Sequence, residues 1–207
     1  TDRGDTMIFH LGMSGSWRVD PPEMGRHDHV LIETDEGRRL SLNDPRRFGS
    51  VDIVRTEDRD ALEPFASMGP EPLGEDFDGA YLERALDGRA APIKALLLDQ
   101  RIVAGLGNIY VCEALHRAKI APGRAGGHIA PARLGRLADP VKDVLRAAIA
   151  AGGSSLRDYV RPDGELGYFS SDWRVYGREG AACDCGATIR RRVDSGRSTF
   201  FCAKCQR

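Results

Sequence analysis

The chain has 207 residues, of which 41% are hydrophobic and 29% are charged, and its formal net charge is −1 at pH 7. This length allows one large or two small domains with a buried core, and the balanced charge excludes a uniformly basic protein. The charge is uneven, however, because eight Arg and Lys residues outnumber three Asp and Glu residues from Trp173 onward. We therefore expect the C-terminal end to bind a polyanion.

Cysteine usage and hydropathy narrow the class of protein further. Four of the five cysteines lie within the last 25 residues, a clustering typical of a metal site in a reducing compartment and not of a disulfide framework. The sequence shows no signal peptide and no apolar run long enough to span a bilayer. We expect a cytoplasmic protein without a membrane partner.

The first part of the chain predicts a β-rich segment. Runs of β-branched and aromatic residues recur from Met7 to Val54 and are separated by turn signals. The first run begins almost at the start of the sequence, so we expect that an N-terminal portion of this β-rich lobe is missing.

Two loops of this segment carry side chains suited to inserting into a nucleic acid. Met13 lies on a glycine-flanked turn, where a packing role is the more common alternative. The loop 43–49 carries Arg46 and Phe48 between a proline and a glycine. A ring at a loop tip can enter the base stack while a guanidinium fills the space of an extruded nucleotide. The alternative is a hairpin turn with a buried Phe48 and two surface arginines.

Helical periodicity follows a linker rich in proline and glycine at 56–77. Asp78 is the expected N-cap of the first helix, and Pro92 stands in the first turn of a second helix that extends to Asp99. Further helices are predicted at 109–116 and 139–151.

The junction between the second and third helices carries a candidate phosphate-binding site. Gly105 and Gly107 allow a tight connection, and Asn108 can cap the next helix. Free amides at that helix start, the Asn108 side chain and the nearby Lys94 suit a phosphate. An ordinary helix corner, with glycine for close packing, is the alternative.

Between the helices and the cysteine cluster, the stretch 154–171 is polar and contains several glycines. It includes Glu165, Gly167 and Tyr168. Loops of this composition often close over a ligand.

The last 25 residues predict a zinc-binding β-hairpin. Two short strands surround a turn at 194–196, and folding them together brings four thiolates to one end, where they can hold a tetrahedral zinc ion. These ligands are Cys183, Cys185, Cys202 and Cys205. The one-residue gap between the first two is shorter than the usual two, so Asp184 is a reserve ligand.

The same hairpin is rich in arginine. Its guanidinium groups belong to Arg190, Arg191, Arg192 and Arg197. An arginine-rich ribbon suits phosphates and a DNA groove, and a solvated face is the alternative.

Four stretches together resemble the bacterial formamidopyrimidine-DNA glycosylase family. They are HLGMSG at 10–15, NDPRRFG at 43–49, GLGNIYVCEAL at 105–115, and the arginine hairpin with the terminal CAKCQR, with DGELGYF between the last two. The resemblance covers nearly the whole chain and implies an α+β fold. Its expected parts are the remainder of an N-terminal β-sandwich lobe (1–57), a linker (58–77), a helix–two-turn–helix domain (78–157), a lesion-capping loop (158–172) and a zinc finger (173–207).

This resemblance implies a base-excision repair enzyme. Such an enzyme removes oxidised purines, especially 8-oxoguanine and formamidopyrimidine, from double-stranded DNA and then cleaves the abasic strand by β- and δ-elimination. One structural zinc, a monomeric state and a bacterial cytoplasm with nucleoid association are the matching expectations. The alternatives are an endonuclease VIII-like glycosylase for oxidised pyrimidines, a non-catalytic zinc-containing module that binds damaged DNA, and a zinc-ribbon module for protein interaction.

The resemblance also implies roles for single residues. Met13, Arg46 and Phe48 match the triad that fills the gap left by the flipped base. The DNA backbone would be held by His10, His27, Lys94, Asn108 and Tyr176. Arg197 matches an arginine assigned to proton transfer in δ-elimination. The loop that covers the lesion would contain Glu165, Gly167 and Tyr168.

One departure concerns the nucleophile. The family uses the secondary amine of an N-terminal proline, whereas this sequence begins with Thr1 and Asp2. We therefore expect the intact protein to be a bifunctional DNA glycosylase and abasic-site lyase. A polypeptide of these residues alone is expected to bind DNA weakly and to lack glycosylase activity.

Overall fold

The backbone of the computed structural model divides into two compact units. The structure describes residues 1–12, 14–154 and 167–207. The first unit comprises residues 1–66 with the described parts of 151–170, and the second comprises residues 67–150 and 171–207. The finer division into five segments that the sequence suggests stays a prediction.

The first unit is built from short antiparallel strands. They are β1 (Asp5–His10), β2 (Ser16–Val19), β3 (Asp28–Glu33), β4 (Arg39–Asn43) and β5 (Ser50–Arg55). One sheet pairs β1 with β5, and a three-stranded sheet has the order β2-β4-β3. Burial alternates along β3, where Val30 and Ile32 are half-buried and Leu31 is exposed, as expected for a strand with one covered face. The β-rich character predicted for this part of the chain is confirmed.

The proline- and glycine-rich stretch after β5 contains local helical structure. A 3₁₀ helix extends over Thr56–Ala61, and a four-residue helix, α1, follows at Glu63–Ala66. No residue of the 3₁₀ helix is buried.

The second unit contains four α-helices before its hairpin. They are α2 (Gly79–Leu86), α3 (Ile93–Leu97), α4 (Asn108–Arg117) and α5 (Pro131–Ala150). The predicted N-cap of α2 is confirmed, because the Asp78 carboxylate accepts a hydrogen bond from the Tyr81 amide at 2.6 Å.

The predicted start of α5 at Asp139 was wrong by two turns. The helix begins at Pro131 and continues through Pro140, which removes one backbone donor and costs about 3 kcal/mol in a helix interior. An apolar stripe at helical spacing offsets this cost by burial against α2 and α4. The stripe consists of Leu134, Leu137, Ala138, Val141, Val144, Leu145 and Ala148.

The C-terminal hairpin has the predicted turn. Its strands are β6 (Arg190–Asp194) and β7 (Arg197–Phe201), and the pairing places Asp194 opposite Arg197. Ser195 and Gly196 both have positive φ, at 49° and 75°, as a type I′ turn requires. The strand β6 begins only at Arg190, and before it Ala182 and Thr188 form an isolated bridge.

In the described part of the chain, no helix combines the length and the apolar character needed to cross a membrane.

The packing of α2 on α5 depends on a close approach of two glycines. A Cβ atom added at Gly79 would overlap the Cα of Gly135 on the facing helix. We expect Gly79→Ala to force the helices apart and to lower the free energy of unfolding by about 1–3 kcal/mol. Denaturant titration of the zinc-loaded protein measures this change.

Gly135→Ala is the matched control for this prediction. A Cβ at Gly135 meets no atom within 4 Å, and alanine favours a helix over glycine by about 1 kcal/mol. This variant should therefore be at least as stable as the unaltered protein. Equal destabilisation by both substitutions would contradict the close-approach argument.

Candidate metal centre and nucleic-acid interface

The four C-terminal cysteines form one compact sulfur cluster. All four Sγ atoms lie within 4.8 Å of one another. The Sγ atoms of Cys183 and Cys205 are 3.8 Å apart, and those of Cys185 and Cys202 are 3.6 Å apart. Tetrahedral zinc with bonds of about 2.3 Å requires sulfur atoms about 3.8 Å apart. The cluster therefore fits one structural zinc ion held by four thiolates.

A tight backbone turn accommodates the short gap between the first two cysteines. The Gly186 amide donates to the Cys183 carbonyl at 2.7 Å, and Gly186 adopts a positive φ of 79° that suits glycine. Asp184, the reserve ligand, has an exposed side chain 3.9 Å from Arg174. No carboxylate is needed to complete the metal centre.

The environment of the sulfur atoms differs from one cysteine to another. The pKa of the Cys185 thiol is lowered to about 6, and the Ala187 backbone amide is the largest cause of this shift. Burial raises the pKa of the Cys183 thiol. Metal binding requires deprotonated thiolates, so the zinc ion must supply the charge that stabilises the buried Cys183 sulfur.

One face of α4 packs against the zinc-binding hairpin. Asn108, Cys112 and His116 are spaced four residues apart and therefore share that face. Cys112 belongs to a buried cluster with Val175, Cys183, Ile189, Phe200 and Cys202. The Nε2 atom of His116 lies 3.3 Å from Sγ of Cys183. The helix and the metal centre thus share one core.

Glu113 on α4 is a structural residue that the sequence analysis missed. Its side chain is fully buried, and its carboxylate accepts backbone hydrogen bonds from Arg174, Val175 and Tyr176, each at 2.9 Å. These bonds hold the segment that leads to Cys183. The sequence does contain one sign of this role, which is an acidic residue beside Cys112 within an otherwise apolar helix turn.

The predicted phosphate-binding residues of the second unit converge on the carbonyl oxygen of Ser198. Lys94 Nζ donates to this oxygen at 3.3 Å, and Asn108 Nδ2 donates to it at 3.0 Å. Asn108 Nδ2 is also 3.4 Å from the Tyr176 hydroxyl. Arg197 immediately precedes Ser198 in the chain. We call Lys94, Asn108, Tyr176 and Arg197 the Ser198 cluster.

The position of Asn108 corrects the expected capping role. The N-cap of α4 is Gly107, and Asn108 directs its amide to Ser198 instead of capping the helix. The reason is tertiary, because β7 packs on α4 and supplies a carbonyl acceptor next to the helix start.

Two basic side chains of the Ser198 cluster line a surface pocket with Asp194 and Asp99. Lys94 is only 2% exposed, donates to Thr199 Oγ1 at 2.8 Å, and has a pKa lowered by burial. Asp194 forms an ion pair with Arg192 at 2.8 Å. Arg197 forms no ion pair within the described residues, so its guanidinium is available to an anion.

In the first unit, Phe48 lies on a loop whose backbone is held by hydrogen bonds to a buried carboxylate. Asp44 is buried, and its carboxylate accepts hydrogen bonds from the Gly49 amide at 2.8 Å and from Ser14 Oγ at 3.2 Å. The Gly49 amide is the largest of the influences that lower the pKa of Asp44. Phe48 itself is 56% exposed, with the Arg46 guanidinium 4.9 Å from its ring centre. The alternative with a buried Phe48 was wrong.

The other predicted residues of this unit lie around the same loop. His10 pairs with Ser50 at the end of β1, and the carbonyl of half-buried His27 accepts the Asp44 amide at 2.9 Å. A Cβ on Gly12 would lie 2.7 Å from the Phe48 carbonyl carbon, so the two loops touch. Met13 lies outside the described residues.

The predicted lesion loop is only partly described. Glu165 lies outside the described residues. Gly167 is buried, and a Cβ added there would overlap the Gly153 carbonyl oxygen, which explains the glycine. Tyr168 is exposed, and its amide donates to the Ala151 carbonyl at 2.9 Å.

Three family models match the chain. The formamidopyrimidine-DNA glycosylase N-terminal domain matches residues 1–51, its H2TH domain matches residues 68–160, and the zinc finger found in FPG and IleRS matches residues 184–207. A formamidopyrimidine-DNA glycosylase of Rhizorhabdus wittichii is 69% identical over 207 residues, which are 100% of this chain and 77% of that protein. The chain belongs to the formamidopyrimidine-DNA glycosylase family.

Solved members of the family have the same fold. The MutM (FPG) protein of Thermus thermophilus gives a TM-score of 0.87 at 43% identity, over 98% of this chain and 76% of that chain. The Lactococcus lactis Fpg in complex with DNA containing an abasic site also gives 0.87, at 35% identity, over 98% and 75%. The predicted α+β class, helix–two-turn–helix domain and β-hairpin zinc finger are confirmed.

The zinc-finger match of the family begins one residue after Cys183. The geometry nevertheless includes this cysteine in the metal centre, because its sulfur lies in the same cluster as the other three. The roles of single residues in DNA binding and catalysis stay predictions.

We expect Cys202→Ser to abolish stoichiometric zinc binding and DNA binding together. The substitution removes one of four ligands from a buried position between β7 and the last turn, and a small finger depends on its metal for folding. Metal analysis and a DNA titration of the same purified sample measure both effects. Zinc retained at full stoichiometry would contradict the four-thiolate site.

Proposed function

We propose that the protein is a base-excision repair enzyme that removes oxidised purines, such as 8-oxoguanine and formamidopyrimidine, from double-stranded DNA. It is also an abasic-site lyase that cleaves the strand by β- and δ-elimination. Family membership supports the glycosylase activity. A Lactococcus lactis relative was solved with DNA that contains Fapy-dG. For this chain, the proposal is carried by the Ser198 cluster on a metal-stabilised ribbon.

The Ser198 cluster has the chemistry of a phosphate-binding site. An ammonium group has three N–H donors, and the contacts of Lys94 with Ser198 and Thr199 use two of them. Lys94 and Arg197 line the same pocket. Guanidinium and ammonium groups bind DNA phosphates and fix the orientation of the duplex. In this proposal, Asn108 and Tyr176 hold the same stretch of DNA backbone.

The loop around Phe48 supplies the contact with the base stack. An exposed aromatic ring on a loop held by a buried carboxylate can enter the stack without a large loss of loop entropy. Arg46 and Met13 then fill the space of the extruded nucleotide, and Arg46 contacts the opposite base. His10 and His27 hold the DNA backbone nearby.

The extruded base needs a cover, and the segment with Glu165, Gly167 and Tyr168 supplies it in this proposal. The exposed phenol ring of Tyr168 offers a flat apolar surface for a base. An endonuclease VIII-like preference for oxidised pyrimidines is the second candidate, because the same backbone contacts serve either base class.

In the family, the nucleophile that attacks the sugar is the amine of an N-terminal proline. Residues 1–207 begin with Thr1. The role proposed for this chain's own Arg197 is proton transfer at the lesion phosphate during δ-elimination. We further propose a monomer that acts on the bacterial nucleoid in the cytoplasm.

We expect Arg197→Ala to leave zinc bound and to weaken both DNA binding and strand cleavage by the intact enzyme. Removing one phosphate contact should reduce the slope of log affinity against log salt concentration by about 1. A titration series with an abasic-site duplex at several salt concentrations measures the slope. Gel analysis of nicked product measures the cleavage.

Arg146→Ala is the matched control, because it removes one exposed positive charge from α5, outside the pocket lining. Its salt slope and cleavage should equal those of the unaltered protein. Equal effects of both substitutions would point to a general charge effect and contradict a phosphate contact at Arg197.

The proposed function as a whole is tested with borohydride, which traps an imine between an amine and the DNA sugar. We expect the intact protein to give an adduct with an 8-oxoguanine duplex and less adduct with an oxidised-pyrimidine duplex. A polypeptide of residues 1–207 should bind the abasic-site duplex in a salt-dependent manner. An intact protein that binds damaged DNA but never forms an adduct would indicate the non-catalytic module. Salt-independent or absent DNA binding would favour a protein-interaction module.

A further inference from the structure

The metal centre has a polar neighbour on α4 that neither the zinc ligands nor the DNA contacts explain. His116 is 1% exposed, and its Nε2 atom lies 3.3 Å from Sγ of Cys183. Its other ring nitrogen, Nδ1, is buried and has no hydrogen-bond partner within the described residues. A buried imidazole with a single partner, and that partner a zinc ligand, indicates a specific contact.

We propose that His116 is a positioning residue of the zinc centre, which donates an Nε2–H hydrogen bond to the metal-bound sulfur of Cys183. The inference rests on the four-cysteine zinc site and is independent of the proposed glycosylase activity.

The direction of the hydrogen bond follows from the charge of the sulfur. A metal-bound cysteine is a thiolate, which is an acceptor and carries no proton to donate. A neutral imidazole has one N–H and one lone pair. The tautomer with its proton on Nδ1 would point a lone pair at the thiolate and leave a buried N–H without a partner. The Nε2–H tautomer removes both penalties.

The buried sulfur of Cys183 has a physical need for such a donor. A zinc ion with four thiolates has a formal charge of about −2, and burying charge is costly unless donors compensate it. His116 supplies a side-chain donor to Cys183, which is more deeply buried than Cys185.

With the Asn108 contact, the His116 contact joins both ends of α4 to the zinc finger. Asn108 at the start of α4 donates to the Ser198 carbonyl of β7, and His116 two turns later reaches Cys183. Groups outside the ligand set orient the ligands, and their loss typically reduces metal affinity about 10-fold to 100-fold.

The experiment compares three variants of the zinc-loaded protein. His116→Phe keeps a ring and loses the donor, whereas His116→Gln keeps an N–H at a similar distance from the backbone. Cys112→Ala removes a buried side chain from the same face of α4 and the same core without removing a donor to sulfur. Competition with a chromophoric chelator gives the zinc dissociation constant, and cobalt substitution gives the sulfur-to-metal charge-transfer spectrum.

We expect His116→Phe to raise the zinc dissociation constant about 10-fold to 100-fold and to shift the charge-transfer band. His116→Gln should restore most of the affinity and the band position, and Cys112→Ala should leave the band unchanged. Equal effects of Phe and Gln would mean that ring packing matters and not the donor, which would overturn the proposal. A spectrum of three sulfurs and one nitrogen in the unaltered protein would also overturn it, since His116 would then be a ligand.

A measurement on the unaltered protein covers the case in which His116→Phe does not fold. Long-range ¹H–¹⁵N spectra of the zinc-loaded protein report the tautomer of each histidine. The proposal requires the Nε2–H tautomer for His116. A proton on Nδ1 would overturn it whatever the variants show.

Discussion

The hydrogen bonds of one buried carboxylate hold the zinc finger to the helical part of the second unit. Glu113 on α4 accepts three backbone N–H groups from residues 174–176. A buried charge is tolerated only when it is fully hydrogen-bonded, and charge-assisted bonds are about twice as strong as neutral ones. This arrangement fixes the segment before Cys183 in one conformation. The positions of Tyr176, of the metal centre and of the arginine ribbon all follow from it.

The zinc ion stabilises a finger that is too small to be held together by its own hydrophobic core. Residues 173–207 bury few large side chains of their own, and four thiolates on zinc close the hairpin at the end opposite its turn. The arginines of the ribbon differ in their ion pairs. Arg192 is bound to Asp194, and Arg191 lies 3.8 Å from Glu179, whereas Arg197 next to Ser198 forms no ion pair among the described residues. The ribbon is therefore basic overall, and Arg197 lines the same pocket as the buried Lys94.

In the first unit, too, a backbone fixed by hydrogen bonds and close contacts carries a side chain that is exposed to solvent. Asp44 and the touching loops at Gly12 and Phe48 fix the backbone, while the Phe48 ring stays largely exposed. A large exposed aromatic ring contributes little to folding, so its place at a well-supported loop tip is best explained by a ligand. A side chain on a supported loop would lose little entropy on binding a ligand.

The sequence by itself determined the features that depend on neighbouring residues. Glycine at 196 specified the hairpin turn, Asp78 specified the start of α2, and the cysteine spacing specified the metal centre, because turns, caps and chelates are local. Features that depend on distant partners were decided only by the tertiary structure. Asn108 bonds to Ser198 and not to its own helix, Glu113 binds a segment some sixty residues away, and α5 extends through Pro140 because its stripe is buried. These outcomes depend on which surfaces meet, and one-dimensional spacing does not contain that information.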